Sequence, residues 1–571
     1  MPRVYAGLRL LSTEIRGLQA AVYVLAGCAL ASSLLALVRD RLFAHTFGAG
    51  VELDLYYAAF RIPDLLFVAT SALVSAYVLI PELTRRSHLD RVAYIDTIVT
   101  GFSFLSIVVA SVLAWCAPTM LSFLFPSFSK AGLLPVVTSL TRIMLMQPVL
   151  LGCSNIFASI TQSRRRYALY AISPLLYNVG IIVGLLYIYP LCGITGLAWG
   201  VVLGALLHAG IQIPSIISDG FFHRIPRMHD ARTFFTTIAT SVPRALTLSM
   251  SQLAFIGLTA LAATLAPGSI AIFMFAFNLQ AVPLAIIGAS YSVAAFPVLS
   301  KSIASGNHEV FIDHIARAAR YILFWSLPAS ALIMVLRAHI VRTILGSGSF
   351  DWTDTRLTAA CLGILSLSLA AQSILLLLVR GYYAAGRTLA PLIIASITTI
   401  ATLILASVSI ALLHNEHVLG ALERMVRADE GQNGMIIGLA IAYAIGSIGG
   451  TCILVIHFTQ TFGDFFSKIT QTLRHACIAA CTAGAAAYTM LWLLGPLTTS
   501  STLLGVVIRA GIGGVAGIGI AGVVYAILGT NEYSETVHSA SSCVTRAAPA
   551  GEPYRFFRRC GTVEPHGTKN T

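Results

Sequence analysis

Of the 571 residues, 57% are hydrophobic and 10% are charged, and mean hydropathy is +0.84. A soluble body of this size needs far more polar surface, so the chain reads as an all-α polytopic membrane protein. The formal net charge of +13 does not indicate a nucleic-acid partner. The arginines sit in short loops between apolar runs, and no basic cluster is interleaved with aromatics.

Residues 1–19 form a cytoplasmic N-terminal segment with Arg3, Arg9 and Arg16 ahead of an apolar run. That run continues to Arg39 without a small-residue cleavage pattern, which predicts a retained first helix rather than a signal peptide. Apolar length predicts fourteen spanning helices, near 20–47, 53–83, 93–125, 133–163, 166–189, 191–216, 234–263, 268–298, 312–345, 355–385, 388–413, 435–459, 470–496 and 501–529. The connections after even-numbered helices carry Arg85, Arg86 and Arg91, then Arg164 to Arg166, Arg224 and Arg227, Lys301, Arg380 and Arg387, and Lys468. By the positive-inside rule these loops and both termini are cytoplasmic, and the Glu416–Glu430 loop is external. The ten cysteines are scattered and mostly apolar in context. Cys477 and Cys481 have only His475 beside them and read as packing residues, so no metal is expected.

Leu34 to Leu83 is the most informative stretch. It is two apolar runs joined by Gly48-Ala49-Gly50, with Arg39, Asp40, Arg41, Asp54, Arg61 and Asp64 set inside or against them. A charge at membrane depth is costly and marks a cavity, a partner or a function. Asp54, Arg61 and Asp64 share a helix face, and Pro63 among them bends the helix. The pattern fits a polar cavity wall; it fits equally a structural Asp54–Arg61 ion pair near the interface. A weak internal repeat pairs Phe60…Pro81 with Phe277…Pro297, each in the second helix of its half, as in two-lobed transporters. It predicts that Arg61 and Asn278 face one another across a shared cavity.

Val38-Arg39-Asp40 with Thr46-Phe47-Gly48-Ala49-Gly50, then Asp54, Ala59-Phe60-Arg61-Ile62-Pro63 and Pro81 form an ordered set. Pro174 and Asn178, Pro243 with Ser249, Ser251 and Gln252, Leu299 to Ser302 with Ala304 to His308, and Gly381-Tyr382-Tyr383 with Thr388 and Pro391 continue it. Over about residues 20–460 this set resembles the MurJ/MviN lipid II flippases of the multidrug/oligosaccharidyl-lipid/polysaccharide exporter superfamily. The resemblance implies a cationic cavity between two six-helix lobes, 20–216 and 234–459, joined by a cytoplasmic loop at 217–233. Helices 13 and 14, in 460–529, would form a lipid-facing groove, and 530–571 a disordered cytoplasmic tail. The implied substrate is undecaprenyl-diphosphate-linked saccharide–peptide, lipid II, moved across the inner membrane for cell-wall biosynthesis, with membrane lipids as the other partner.

Arg39, Asp54 and Arg61 fall on polar cavity positions of that family, and Asp64 where an Asn is usual. The sequence departs from the pattern at Ser33, Phe67 and Asn278, where arginines are expected, and at Ala72, Leu73 and Ala281. Arg244 is an additional cation. A diphosphate needs about two arginine partners, which Arg39, Arg61 and Arg244 would supply as a clamp, with Asn278 opposite and Asp54 and Asp64 moderating the charge. Other readings are a flippase for a different polyprenyl-linked saccharide, a cation-coupled drug exporter using Asp40 or Asp54, and a non-transporting paralogue. No P-loop and no nucleophile–base pair occurs in the sequence, and His45, His223 and His308 are isolated, so neither a cofactor nor an enzymatic activity is expected. Drive would come from a monovalent ion or the membrane potential.

Overall fold

The computed structural model describes residues 18–75, 79–80, 82–83, 86–164, 166–222, 224–426, 434–495 and 502–537. The expectations for residues 1–17, Pro81, Arg85, Arg165, His223, the 427–433 part of the external loop and the tail from 538 lie outside them. Its long helices are α1 (Leu18–Phe47), α2 (Val51–Ala59), α3 (Arg61–Leu73), α4 (His88–Leu124), α5 (Leu134–Met144), α6 (Met146–Ser163), α7 (Tyr167–Val183), α8 (Thr195–Gly210) and α9 (Ala231–Ala262). There follow α10 (Ser269–Leu284), α11 (Ser290–Ala304), α12 (His308–Ile344), α13 (Trp352–Leu367), α14 (Leu369–Ala384), α15 (Leu389–Leu413), α16 (Ile436–Phe462), α17 (Phe465–Leu493) and α18 (Leu503–Ile527).

Among the described residues, eleven helices are long and apolar enough to cross a membrane, or twelve when α13 and α14, bent by 47° at Ser368, count as one. Neither α1 nor the α2–α3 pair is in that number, and these are the segments that carry the charges. The predicted span at 53–83 is interrupted: α2 ends at Ala59 and α3 starts after Phe60.

Three proline sites and the bend at Ser368 are met by side chains of other helices. Pro63 has no N–H to give the carbonyl of Ala59 four residues back, and Thr141 Oγ1 of α5 reaches that oxygen at 3.4 Å. Pro118 frees Ala114 O inside α4 in the same way, and Arg142 Nε of α5 donates to it at 2.9 Å. Pro328 frees Phe324 O inside α12, and the Tyr525 hydroxyl of α18 donates to it at 2.8 Å. At the Ser368 bend, Leu365 O accepts from Gln280 Nε2 of α10 at 2.9 Å. In hydrocarbon no water can do this work, so neighbouring helices supply the donors.

Between α7 and α8 the contact is backbone on backbone. A Cβ on Gly180 would stand 2.2 Å from Gly204 Cα, and one on Gly184, in the π-helical turn that follows α7, would stand 2.4 Å from Gly200 Cα. This small-residue seam replaces a hydrophobic drive that lipid does not provide. The first-half helices pack mainly on one another, as do α10 to α16. The two sets meet where α9 runs along α3 and where α10 reaches α1 and α2. The largest buried apolar cluster crosses that junction, from Phe43, Leu53 and Tyr57 to Phe273, Phe275 and Leu357.

α17 and α18 lie against α12 and each other. Residues 531–537, expected to start a disordered tail, are helical. Glu532 is buried there, accepting from Arg320 Nε at 2.8 Å and Thr472 Oγ1 at 3.3 Å, and Tyr321 donates to Glu535. An ion pair with a half-buried guanidinium fixes residues 531–537, which composition alone assigns to disorder.

Candidate functional site

The turn between α1 and α2 forms a closed end where the two halves meet. Gly48 has φ +60°, and a Cβ there would lie 2.6 Å from Ser349 O. Gly268 has φ +89°, and its Cβ would lie 1.9 Å from Ala49 O. Only glycine allows backbones this near. Ser349 N donates to His45 O at 3.0 Å and Ala49 N to Asp354 Oδ2 at 3.0 Å.

Two charges from the first half finish helices of the second. Asp54, buried in α2, accepts from Gly268 N at 2.7 Å and Ala271 N at 2.8 Å, so it caps the N-terminus of α10. Arg41 Nη1 donates to Thr343 O at 2.7 Å and Ile344 O at 3.0 Å, at the C-terminus of α12. Both have the sign that complements the helix dipole. The Asp54 carboxylate is thus spent on backbone amides of α10, not on the ion pair with Arg61 that its spacing allowed.

Next along α1 is a second cross-link. Arg39 donates through Nε and Nη2 to Asp40 Oδ1, at 3.0 and 2.8 Å, and through Nη1 to Asn178 Oδ1 at 3.0 Å. Asn278 of α10 donates to the other oxygen of Asp40 at 3.0 Å. Asn278 therefore meets Asp40. Arg61 donates from Nε to the carbonyl of Tyr57, one turn earlier, at 3.0 Å, and its Nη2 lies 3.8 Å from Asp64 Oδ2.

Arg244 is placed differently. It lines a cleft of about 470 Å³ between α3, α6 and α9, with Ser71, Ser75, Asn155, Gln162 and Gln252 among its walls. Its Nη1 donates to Ser75 Oγ at 3.3 Å, across the two halves. The apolar side chains Phe67, Ala72 and Leu248 complete the walls. Arg39, Arg61, Asn278, Asp54 and Asp64 are not among the cleft's lining residues. The predicted site residues thus divide into a buried charge lattice and one cleft arginine. The amides at Asn155 and Gln162 were missed, although with Ala158 they follow helical spacing on one face of α6.

The cleft lies toward the end of α3 remote from Gly48, beside the last turns of α6. One end of the inter-half space is sealed by backbone, and the other holds a polar hollow. A family model described as lipid II flippase MurJ matches residues 43–508. The chain belongs to the lipid II flippase MurJ family. Among curated relatives, the probable lipid II flippase MurJ of Thermotoga maritima is 25% identical over 442 residues, 77% of this chain and 85% of the relative. The lipid II flippase MurJ of Burkholderia cenocepacia is 24% identical over 377 residues, 64% and 73% of the respective chains.

Among solved structures, a lipid II flippase MurJ in an inward closed conformation superposes with TM-score 0.69 at 22% identity, covering 89% of this chain and 99% of that one. An inward-facing multidrug resistance transporter of the MOP superfamily gives 0.59 at 16% identity, covering 75% and 95%. These likenesses give the all-α polytopic fold. MurJ family membership makes the chain a multi-pass inner-membrane transporter, a lipid II flippase of peptidoglycan biosynthesis and not an enzyme.

Proposed function

We propose that the chain moves lipid II itself by alternating access, loading the headgroup into the cleft of Arg244. The observation that carries this reading is the asymmetry of the inter-half space, with backbone sealing at Gly48 and Gly268 and a polar cleft beyond the charge lattice. In this reading the fourteen predicted spans form two six-helix lobes, with α17 and α18 as two further helices. The basic ends of α6, at Arg164, and of α11, at Lys301, are cytoplasmic, as are both termini, so the cleft takes its cargo from the cytoplasmic leaflet.

Arg244 would contact the phosphate, while Asn155, Gln162 and Gln252 offer amides to saccharide or peptide. Arg39 and Arg61 act at one remove, because both already serve carboxylates or carbonyls. Replacing Arg244 with Ala should lower substrate affinity about ten- to a hundredfold, the loss of one charge-assisted bond, with membrane abundance unchanged. Lysine should rescue poorly, since it lacks the planar fork. Flipping of labelled lipid II in reconstituted vesicles, measured beside abundance, tests this; full flipping by the Ala variant sinks it.

With a single cleft arginine, a flippase for another polyprenyl-linked saccharide is the second reading, and a competition series of such lipids in the same vesicles separates the two. The exporter reading requires a carboxylate that exchanges ions, and Asp40 and Asp54 are both already engaged. A non-transporting paralogue would leave vesicles inactive with every substrate. Flipping with an imposed membrane potential, or with sodium or potassium gradients, identifies the drive.

The topology has its own test. In a variant whose exposed cysteines are replaced by Ser, a membrane-impermeant thiol reagent should label His417→Cys in intact cells and miss Ser305→Cys. The reverse pattern inverts the topology and the loading side.

A further inference from the structure

A second cleft, of about 410 Å³, opens between α4 and α5, and is lined by Pro118, Leu134, Pro135, Thr138, Ser139, Arg142 and Ile143. Arg142 is exposed. Its Nε is committed to Ala114 O, its side chain lines the cleft, and among the described residues no carboxylate pairs with it. Around it the surface is apolar, with Trp115 and Phe123 of α4 at 80% and 84% exposure. An intramembrane cation with this surrounding needs an anion or the interface.

Its depth decides which. α4 has 37 residues and so is about 55 Å long, against roughly 40–45 Å for a bilayer with its headgroups. The polar first turns, with Asp90, Arg91 and Asp96, take up the excess, so the end at Leu124 lies at about the headgroup surface. Arg142 is eight residues into α5, about 12 Å from the helix start, and α5 starts at the membrane face where α4 ends. That puts its backbone about 12 Å below the headgroup surface, and the side chain, which leans toward the helix start, brings the guanidinium up to roughly the boundary between headgroups and hydrocarbon. Phosphates of phospholipids lie at this level, and a phosphate takes two parallel N–H donors from an arginine.

We infer that the α4–α5 cleft is a binding site for the headgroup of an anionic phospholipid, with its phosphate on the Nη groups of Arg142 and the hydroxyls of Thr138 and Ser139 beside it. This site lies on the outside of the first half, away from the cleft of Arg244. The lipid would act as a fixed external brace across α4 and α5, at the point where Pro118 weakens α4.

Delipidated full-length protein in a neutral detergent is titrated with phosphatidylglycerol, phosphatidylcholine or inorganic phosphate, and bound molecules are read by native mass spectrometry. Arg142→Gln keeps an N–H for Ala114 O and removes the charge; it should bind the first phosphatidylglycerol about tenfold more weakly than the parent or worse, as loss of a charge-assisted bond predicts. Phosphatidylcholine, whose phosphate has a choline cation beside it, should bind the parent more weakly and lose less in the variant, and inorganic phosphate should not compete. If Arg142→Gln does not fold, Ser139→Asp serves instead, because it leaves Arg142 on Ala114 O and sets a carboxylate one turn away in the cleft. Equal phosphatidylglycerol affinity in parent and variant overturns the site. So does tight phosphatidylcholine binding by the parent, or displacement of the lipid by inorganic phosphate, which would mark an adventitious ion site.

Discussion

Arg39→Ala should remove most of the folded protein from the membrane rather than slow a folded transporter. Asp40 is 2% exposed and its two oxygens are divided between Arg39 and Asn278. Without the guanidinium, a buried carboxylate keeps one amide donor and no counter-charge, a loss of about 3–5 kcal/mol. Asp40→Asn in the Arg39→Ala background should recover much of it, since a neutral amide needs no counter-ion. Membrane abundance and thermal unfolding of the two variants check this. If Arg39→Ala accumulates at the parent level, unfolds at the parent temperature and has lost only flipping, then Arg39 belongs to the substrate site after all, as the sequence suggested.

Asp54→Asn is expected to release the closed end. Both carboxylate oxygens accept backbone N–H groups of α10, and an asparagine can offer one oxygen while its NH₂ is set against the other donor. The loss of one charge-assisted cap bond, with a buried N–H left unmet, is worth about 2–4 kcal/mol, or about thirtyfold and upward in the ratio of closed to open forms. Disulfide trapping reads it directly. Thr46 and Ser349 are in contact across the halves, so a Thr46→Cys, Ser349→Cys pair should cross-link readily in the parent and much less with Asp54→Asn. Undiminished cross-linking would show that Gly48 and Gly268 hold the end closed without the cap. The sequence reading, in which Asp54 moderates the charge of the arginine clamp, implies a different result for this variant: a freer Arg61 and tighter binding of an anionic headgroup. With the Asp54 carboxylate on α10 amides and 3.8 Å between Arg61 Nη2 and Asp64, that expectation no longer has a contact behind it.

These two residues show what could be read from sequence and what could not. Apolar length located most of the long helices to within a few residues, though not the interrupted one at 53–83, because a spanning segment must satisfy most of its own backbone. The cost of intramembrane charge marked Arg39, Asp40, Arg41, Asp54 and Arg61 for the same reason. Periodicity, however, gives a face and never a partner. Asp54 is answered by main-chain N–H groups more than two hundred residues away, and main chain leaves no mark in side-chain spacing. Asn278 was aligned by repeat with Arg61, and its hydrogen-bond partner is Asp40, which a correspondence between two helices does not specify. The bend at Ser368 was equally hidden: no proline marks it, and Gln280, the residue that takes up the Leu365 carbonyl there, lies on another helix.

The proline repairs bear on biogenesis. Phe324 O, freed by Pro328, waits for a hydroxyl 201 residues further along the chain, whereas the oxygens of Ala59 and Ala114 are met by Thr141 and Arg142 of the next helical hairpin. A nascent chain leaving the insertion machinery can thus complete its first two bends early, while α12 must stay in a protected or hydrated setting until the last helix is made. Premature termination ahead of Tyr525 leaves a polar notch in the middle of the second half, a mark by which membrane quality control could tell an unfinished chain from a finished one.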